Sequence, residues 1–302
     1  MKTSISKTIL LIVAICTGLF SFSQDFQGKA HYMSKTTMDL DQWGGREMTP
    51  ERKKEVEARM KKFLEKEYIL TFNKTESIYE EDEKLEAPGS GGGFGRFGSS
   101  FTGGPKYKNV KTKEMLQDQE FFGKQFLIKD ELKGLEWKMG TETKQIGQYT
   151  CFKATATKTV DKFDWRSMRR RGPGQGSKND DKEKAKGKVA KDSTKTSDDP
   201  MQDIEVPKTI EVVAWYTPQI PINQGPDDFW GLPGLILEVS ADRTTILCTK
   251  IVMNPEEKDN IEKPEKGEEV TQAEYNEIIT KKMQEMREMY GGRRGRGGGR
   301  RN

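Results

Sequence analysis

One residue in three of this 302-residue chain is charged and only 32% are hydrophobic, so the chain is too polar to form one uniformly packed body. A single histidine and three cysteines give a zinc site no ligand spacing to build on, and a formal net charge of +4 does not make the whole chain a polyanion binder. The positive charge is local, because five arginines stand in the final segment "RRGRGGGRRN".

Lys2 and Lys7 precede the apolar run "TILLIVAICTGLF", and small residues stand at Ser21 and Ser23. This pattern predicts a signal peptide over residues 1–23, cut after Ser23, since a run of about 13 residues is too short to span a bilayer. Export follows, to the periplasm or the periphery of an outer membrane. Lipid anchoring at Cys16 is the poorer reading, because Ile15 is not the small residue such a site needs.

From there the expected elements run in order. "GKAHYMSK" alternates as a strand. "TPERKKEVEARMKKFLEK" predicts a helix with Thr49 as N-cap, Pro50 in the first helical position and a stripe of Val56, Met60, Phe63 and Leu64. "YILTFNK" and "ESIYEED" are strands, followed by "APGSGGGFGRFGSSFTGGP", residues 87–105, whose glycines predict disorder. "KQFLIKD", "LEWKM" and "TCFKATATKTV" are the next strands. Residues 166–207 have almost nothing apolar to bury and are expected to be a second disordered excursion. "TIEVVAWYT" and the pair within "LPGLILEVSADRTTILCTKIV" complete the strands. The last helix, "TQAEYNEIITKKMQEMREMY", opens on the capping box Thr271 and Glu274, with a stripe through Tyr275, Ile278, Ile279, Met283, Met286 and Tyr290. Residues 291–302 form a disordered Gly/Arg tail.

The short connections favour antiparallel neighbours. The expected fold is α+β and mainly antiparallel β: a curved sheet or half-barrel covered by one or two helices, in a single domain over residues 24–290 with long disordered insertions. The segment Gly231, Leu232, Pro233 and Gly234 is expected to be a structural corner, a type II turn with glycine supplying positive φ at Gly234. Two readings stand for the cysteines left after signal removal. Cys151 and Cys248 form one disulfide, or they are buried, unpaired thiols on different strands.

The stretch "AWYTPQIPINQGPDDFWGLPGLILEV" resembles the signature of the GLPGLI family, and "LEWKMGTETKQIGQYTCFKATAT" is similar to a second recurring block of that family. Members are secreted or envelope proteins of Gram-negative bacteria without an established function. The resemblance implies a compartment and a shared fold, and it carries no catalytic residue.

Chemistry is sparse. His31 lies within an alternating strand, where packing explains it, and no nucleophile elbow, metalloprotease helix, phosphate loop or dinucleotide fingerprint occurs. Asp227 and Asp228 are explained as a solvated turn, and Met283, Met286 and Met289 as adaptable core filler, with thioether ligation of Cu(I) as the alternative. No cofactor is expected. Arg166, Arg169, Arg170 and Arg171, with Arg293, Arg294, Arg296, Arg300 and Arg301, suit polyanion contacts. Export makes nucleic acid an unsuitable partner and favours anionic lipid or glycan. The expected function is non-catalytic: carriage of a hydrophobic ligand in the curved sheet, or assembly with an outer-membrane partner through arginine-rich tethers. A hydrolase of unknown class is a distant third, to be revived if carboxylates converge in a cleft.

Overall fold

The computed structural model describes residues 26–37, 49–82, 103–161, 163, 164, 166, 169, 170, 204, 205, 208–256 and 260–294. The expected signal peptide, most of both expected insertions, and Arg171, Arg296, Arg300 and Arg301 lie outside the described residues.

Strands dominate. They are β1 (Gln27–Thr36), β2 (Glu65–Asn73), β3 (Glu76–Glu81), β4 (Lys106–Asn109), β5 (Glu114–Phe121), β6 (Lys124–Glu131), β7 (Lys138–Ile146), β8 (Tyr149–Thr159), β9 (Arg169–Arg170), β10 (Ile204–Glu205), β11 (Thr209–Thr217), β12 (Leu235–Ala241), β13 (Thr244–Met253) and β14 (Glu268–Val270). The helices are α1 (Pro50–Leu64) and α2 (Gln272–Arg294). Twelve strands form one unclosed sheet in the order β14-β6-β5-β4-β3-β2-β1-β13-β12-β11-β8-β7, antiparallel except for β14 with β6. The order comprises two meanders, β1–β6 and β7–β13, joined where β1 pairs with β13. The ladder of β9 with β10 ties together the two ends of the segment 171–203.

Connectivity forces this sheet to curl. Ten strand spacings separate β6 from β7, about 48 Å in a flat sheet. The chain between them, Leu132–Trp137, spans about 24 Å at most when fully extended. Register shifts in β1 at His31/Tyr32, in β11 at Trp215/Tyr216 and in β7 between Met139 and Thr143 supply the local bends.

A curled sheet needs its concave face filled. Tyr32, Leu70, Phe72 and Tyr79 from the first meander meet Val212, Ala214, Leu237, Val239 and Ile246 from the second in one core cluster. The connection between β11 and β12, residues 218–234, runs inside it and adds Ile220, Ile222, Phe229 and Leu232. The hydrogen bond from Gly231 N to Asn223 O (3.1 Å) folds this plug on itself, and those from Leu235 N to Ile220 O (3.0 Å) and Ile236 N to Gln224 O (3.1 Å) tie it to the start of β12. The capping box of α2 forms as expected, with Thr271 N donating to Glu274 Oε2 at 2.7 Å. Its Tyr275 and Ile279 pack on Phe121, Phe126 and Ile128 of β5 and β6. The helix continues to Arg294, past the expected end at Tyr290.

Several expectations need correction. Thr49 caps α1 as expected, but among the described side chains of its stripe Val56, Met60 and Leu64 stay only half-buried and join no core cluster, whereas α2 lays Tyr275 and Ile279 on the sheet. "LEWKM" is mostly the β6–β7 connection, and the strand begins at Lys138. The 231–234 corner is not a type II turn, because Gly234 does not have positive φ. Gly234 N instead donates to Leu232 O at 2.8 Å around Pro233, an i to i+2 closure. Glycine is needed at 234 because a Cβ would stand 2.2 Å from the Thr217 carbonyl oxygen, whereas Gly231 holds the positive φ, at 95°. Cys151 and Cys248 are free, buried thiols on β8 and β13, with β11 and β12 between them in the sheet order. Burial pushes the Cys151 thiol up to about 11 and the Cys248 thiol up to about 12.

Gly234→Ala is expected to destabilise the fold by about 2–3 kcal/mol through the clash with strand backbone, and Gly231→Ala by about 1 kcal/mol through its dihedral alone. Urea denaturation midpoints separate the two, and equal losses would show that close approach is not what selects Gly234. The two thiols are expected to resist Ellman's reagent in the folded chain and to react fully in denaturant without a reductant.

Candidate functional site

Lys106 and Lys108 alternate with Tyr107 on β4, so both lysines lie on one face of the strand. That face meets the plug at the turn Pro226–Phe229, closed by Phe229 N donating to Pro226 O at 3.1 Å. Asp227 holds the turn with φ 51°, in the left-handed region that aspartate tolerates better than most residues.

Four cations converge there. Arg166 Nη1 contacts Asp227 Oδ2 at 2.6 Å, and Lys106 Nζ pairs with Asp227 Oδ1. Lys158 of β8 reaches Asp228 Oδ2 at 2.6 Å while its Nζ stands 4.9 Å from the Phe229 ring centroid. Lys108, wholly buried, donates to the carbonyls of Gly225 (2.6 Å) and Phe229 (3.3 Å). The plug is therefore pinned to both meanders, through β4 on one side and β8 on the other. Beneath it Tyr68 and Tyr79 stack at 4.7 Å between centroids.

The electrostatics follow from burial and pairing. Burial alone would raise the Asp227 carboxyl, but Lys106, Arg166 and Lys158 hold it well below the usual carboxylate range. Asp228 is likewise lowered, with burial opposed chiefly by Lys158. Burial depresses Lys108 to about 7 against the pull of both aspartates. Burial also raises Asp164, opposed by Arg166, and lifts Tyr68 to about 12. Tyr79 Oη and Asp228 Oδ1 are buried without a hydrogen-bond partner among the described residues.

This cluster is the floor of a cleft of about 1050 Å³. Its walls are β4–β6, the β6–β7 connection, the end of β8, the root of the 171–203 segment and the first two turns of α2. Five Lys/Arg side chains line it, Lys106, Lys133, Lys138, Lys158 and Arg166. Eight carboxylates oppose them: Asp164, Asp227 and Asp228 near the floor, with Asp130, Glu131, Glu136, Asp161 and Glu211. Among the described residues the cleft is thus acidic, within a chain of net positive charge. One wall also offers open backbone. β8 pairs with β7 only as far as Thr155, so residues 156–159 have a strand neighbour on the β11 side alone among the described residues.

The structure places few of the sequence candidates in this cleft. Gly231, Leu232, Pro233 and Gly234 seal the plug and do not line it. Asp227 and Asp228, expected in a solvated turn, are ion-paired in its floor, because the plug runs inside the sheet. Arg166, expected to meet polyanions, is bound to Asp227. Arg169 and Arg170 stand in β9, and Arg293 and Arg294 end α2. His31 accepts at its backbone carbonyl from Thr249 Oγ1, and Met283 packs under α2 as filler. Sequence reasoning missed Tyr68, Tyr79, Lys106, Lys108, Lys158 and Asp164. No local signal marked them, because "KYKN" does not show from its sequence which face turns inward.

Residues 137–238 match a family model described as a protein of unknown function, Porph_ging. That span runs from the start of β7 into β12 and includes the plug with Asp227 and Asp228. No curated protein matches the chain. Two solved structures of PNGF-II, in the C2 and P21 space groups, are similar at 13% identity, with TM-scores of 0.44 and 0.45 and coverage of 85% of this chain. The chain spans 33% of their length, and a likeness this distant carries no argument about activity.

Linkage fixes the pH response. Asp227 and Asp228 titrate lower in the folded chain than the usual value near 4, so their contribution is present above about pH 4 and is lost below it. Lys108 titrates at about 7 folded and near 10.4 unfolded, so stability rises with pH over that window. Above about pH 10 it falls again, as Tyr68 and Tyr79 ionise first in the unfolded chain. Lys108→Met is expected to flatten the rise between pH 7 and 9 in urea midpoints. An unchanged slope in that variant would show that Lys108 stays charged when folded.

Proposed function

We propose that the protein is a non-catalytic interaction module of the cell envelope, one of the GLPGLI proteins, exported by its N-terminal signal and built on a half-barrel sheet. The supporting observation is the acidic cleft beside the open backbone of β8, with its floor locked by ion pairs. Groups locked in this way bind and position. Asp227 and Asp228 are held as anions by their cations and are poor proton donors. Asp164 has the raised carboxyl that a hydrolase would use as an acid, but its Oδ1 accepts from Arg166 N at 3.0 Å and serves the local turn.

Carriage of a hydrophobic ligand is the weaker reading. The plug and the side chains of both meanders fill the concave face, and a hydrocarbon chain in the remaining cleft would desolvate the charges along its walls. A polypeptide partner suits mixed polarity and an open strand edge better. The arginine-rich segments then serve as tethers to acidic surfaces, such as anionic lipid, glycan or an acidic protein face.

Photo-crosslinking from a benzoylphenylalanine at Thr157, carried out in intact envelopes, is expected to attach a polypeptide. A lipid-sized adduct in native mass spectrometry, with no polypeptide attached at Thr157, would overturn this reading and reinstate the carrier.

A further inference from the structure

We propose that the cleft takes the Gly/Arg tail of a second copy of this chain, residues 295–302, added as a strand along β8. The inference rests on the reading of the cleft as a polypeptide-binding site. Three observations meet there. Among the described residues eight carboxylates stand against five cations in the cleft, and Glu131 and Glu211 are exposed at its surface. The β8 edge at residues 156–159 presents alternate N–H and C=O groups away from β11, with no strand beside them among the described residues. On the floor, Tyr79 Oη and Asp228 Oδ1 are buried without partners, one able to donate and the other to accept.

An occupant should therefore be extended, basic and slim enough for its backbone to approach β8. The sequence "GRGGGRRN" has that chemistry, with arginines at 296, 300 and 301 and glycines between them. Arg supplies donors to carboxylates in a forked geometry, and glycine adds no Cβ between the two backbones.

The occupant comes from a neighbour because the chain's own tail has too little reach. α2 lines the cleft only through Gln272, Tyr275, Asn276 and Ile279. From Ile279 to Arg294 the helix advances about 22 Å, and eight residues fully extended recover at most about 27 Å. A return of that length would leave about 5 Å, short of the roughly 13 Å needed to lie along four residues of β8. A neighbour's tail has no such limit, and the contact is head-to-tail.

The test titrates the full mature chain into a labelled peptide of residues 291–302, capped at both ends, and follows anisotropy. Binding is expected, weakened at least about tenfold by the triple variant Glu131→Gln, Glu136→Gln, Glu211→Gln and by 0.5 M salt. These side chains are not part of the ion-paired floor, and a circular dichroism melt checks that the variant folds. A peptide with sarcosine at every glycine keeps the arginines but loses those N–H donors, and is expected to bind at least about fivefold more weakly. Excess natural peptide should also lower the sedimentation coefficient of the concentrated protein. Equal affinity for the triple variant, or for the sarcosine peptide, overturns the proposal. No peptide binding alongside a polypeptide crosslinked at Thr157 overturns the tail as occupant and leaves the interaction reading standing, whereas loss of both overturns both. Binding of the peptide to anionic vesicles but not to the protein also overturns it and assigns the tail to lipid.

Discussion

Six residues between β6 and β7 govern this structure. They join strands that stand near opposite ends of a twelve-strand order, and no flat sheet could accommodate so short a link. The curl follows from that link, and the curl in turn creates a concave face that must be filled. Side chains of the two meanders fill part of it, and the β11–β12 connection fills the rest. The same link forms one wall of the cleft, so the element that brings the sheet ends together also borders the space left between them.

Filling a sheet with chain and not only with side chains carries an electrostatic consequence. A connection folded inside a core brings its peptide groups with it, and each needs a partner away from water. Part of the demand is met within the plug, by Gly231, and part by Leu235 and Ile236 at the start of β12. Lys108 meets another part by capping two carbonyls, and Ser77 Oγ lies 2.9 Å from Gln224 Oε1. The aspartates of the turn then require the lysines and arginine that surround them. Removing one partner of such a set leaves a charge stranded, which is costlier than never having buried the pair. The cluster accordingly specifies where the plug sits more than it adds net stability.

Much of the fold was legible in the sequence. Strands with strict alternation and aromatic or β-branched content, such as β1, β8, β11 and β13, fall close to their expected places, as do both helix caps. The strands that escaped are those whose residues contradict strand expectation. β4 is "KYKN", β5 carries "EMLQDQEF", and β14 is only three residues long. The site was hardly legible at all. "GPDDF" has the composition of a solvated turn, and only the curl of the sheet around it turns those carboxylates inward. Gly234 teaches the same lesson on a smaller scale. Its neighbours Leu232 and Pro233 suggest a standard turn, yet the requirement for glycine comes from Thr217, on another strand. Pattern reports what a residue does to its own backbone, and close approach from elsewhere in the fold leaves no local trace.

The pairing of β1 with β13 has a bearing on how the chain acquires its shape. Most pairs within each meander join strands closer in sequence than β1 is to β13, and Ala30 must wait for Ile251. Until then the first meander presents β1 as a bare edge, flanked by β2 on one side only. A chain delivered N-terminus first would hold that edge open until residues 244–253 followed. Such an edge is a template for any extended segment nearby. Pairing of β1 with β13 is therefore expected to form late, and a factor that shields β1 in the interval is expected to raise yield without altering the final stability.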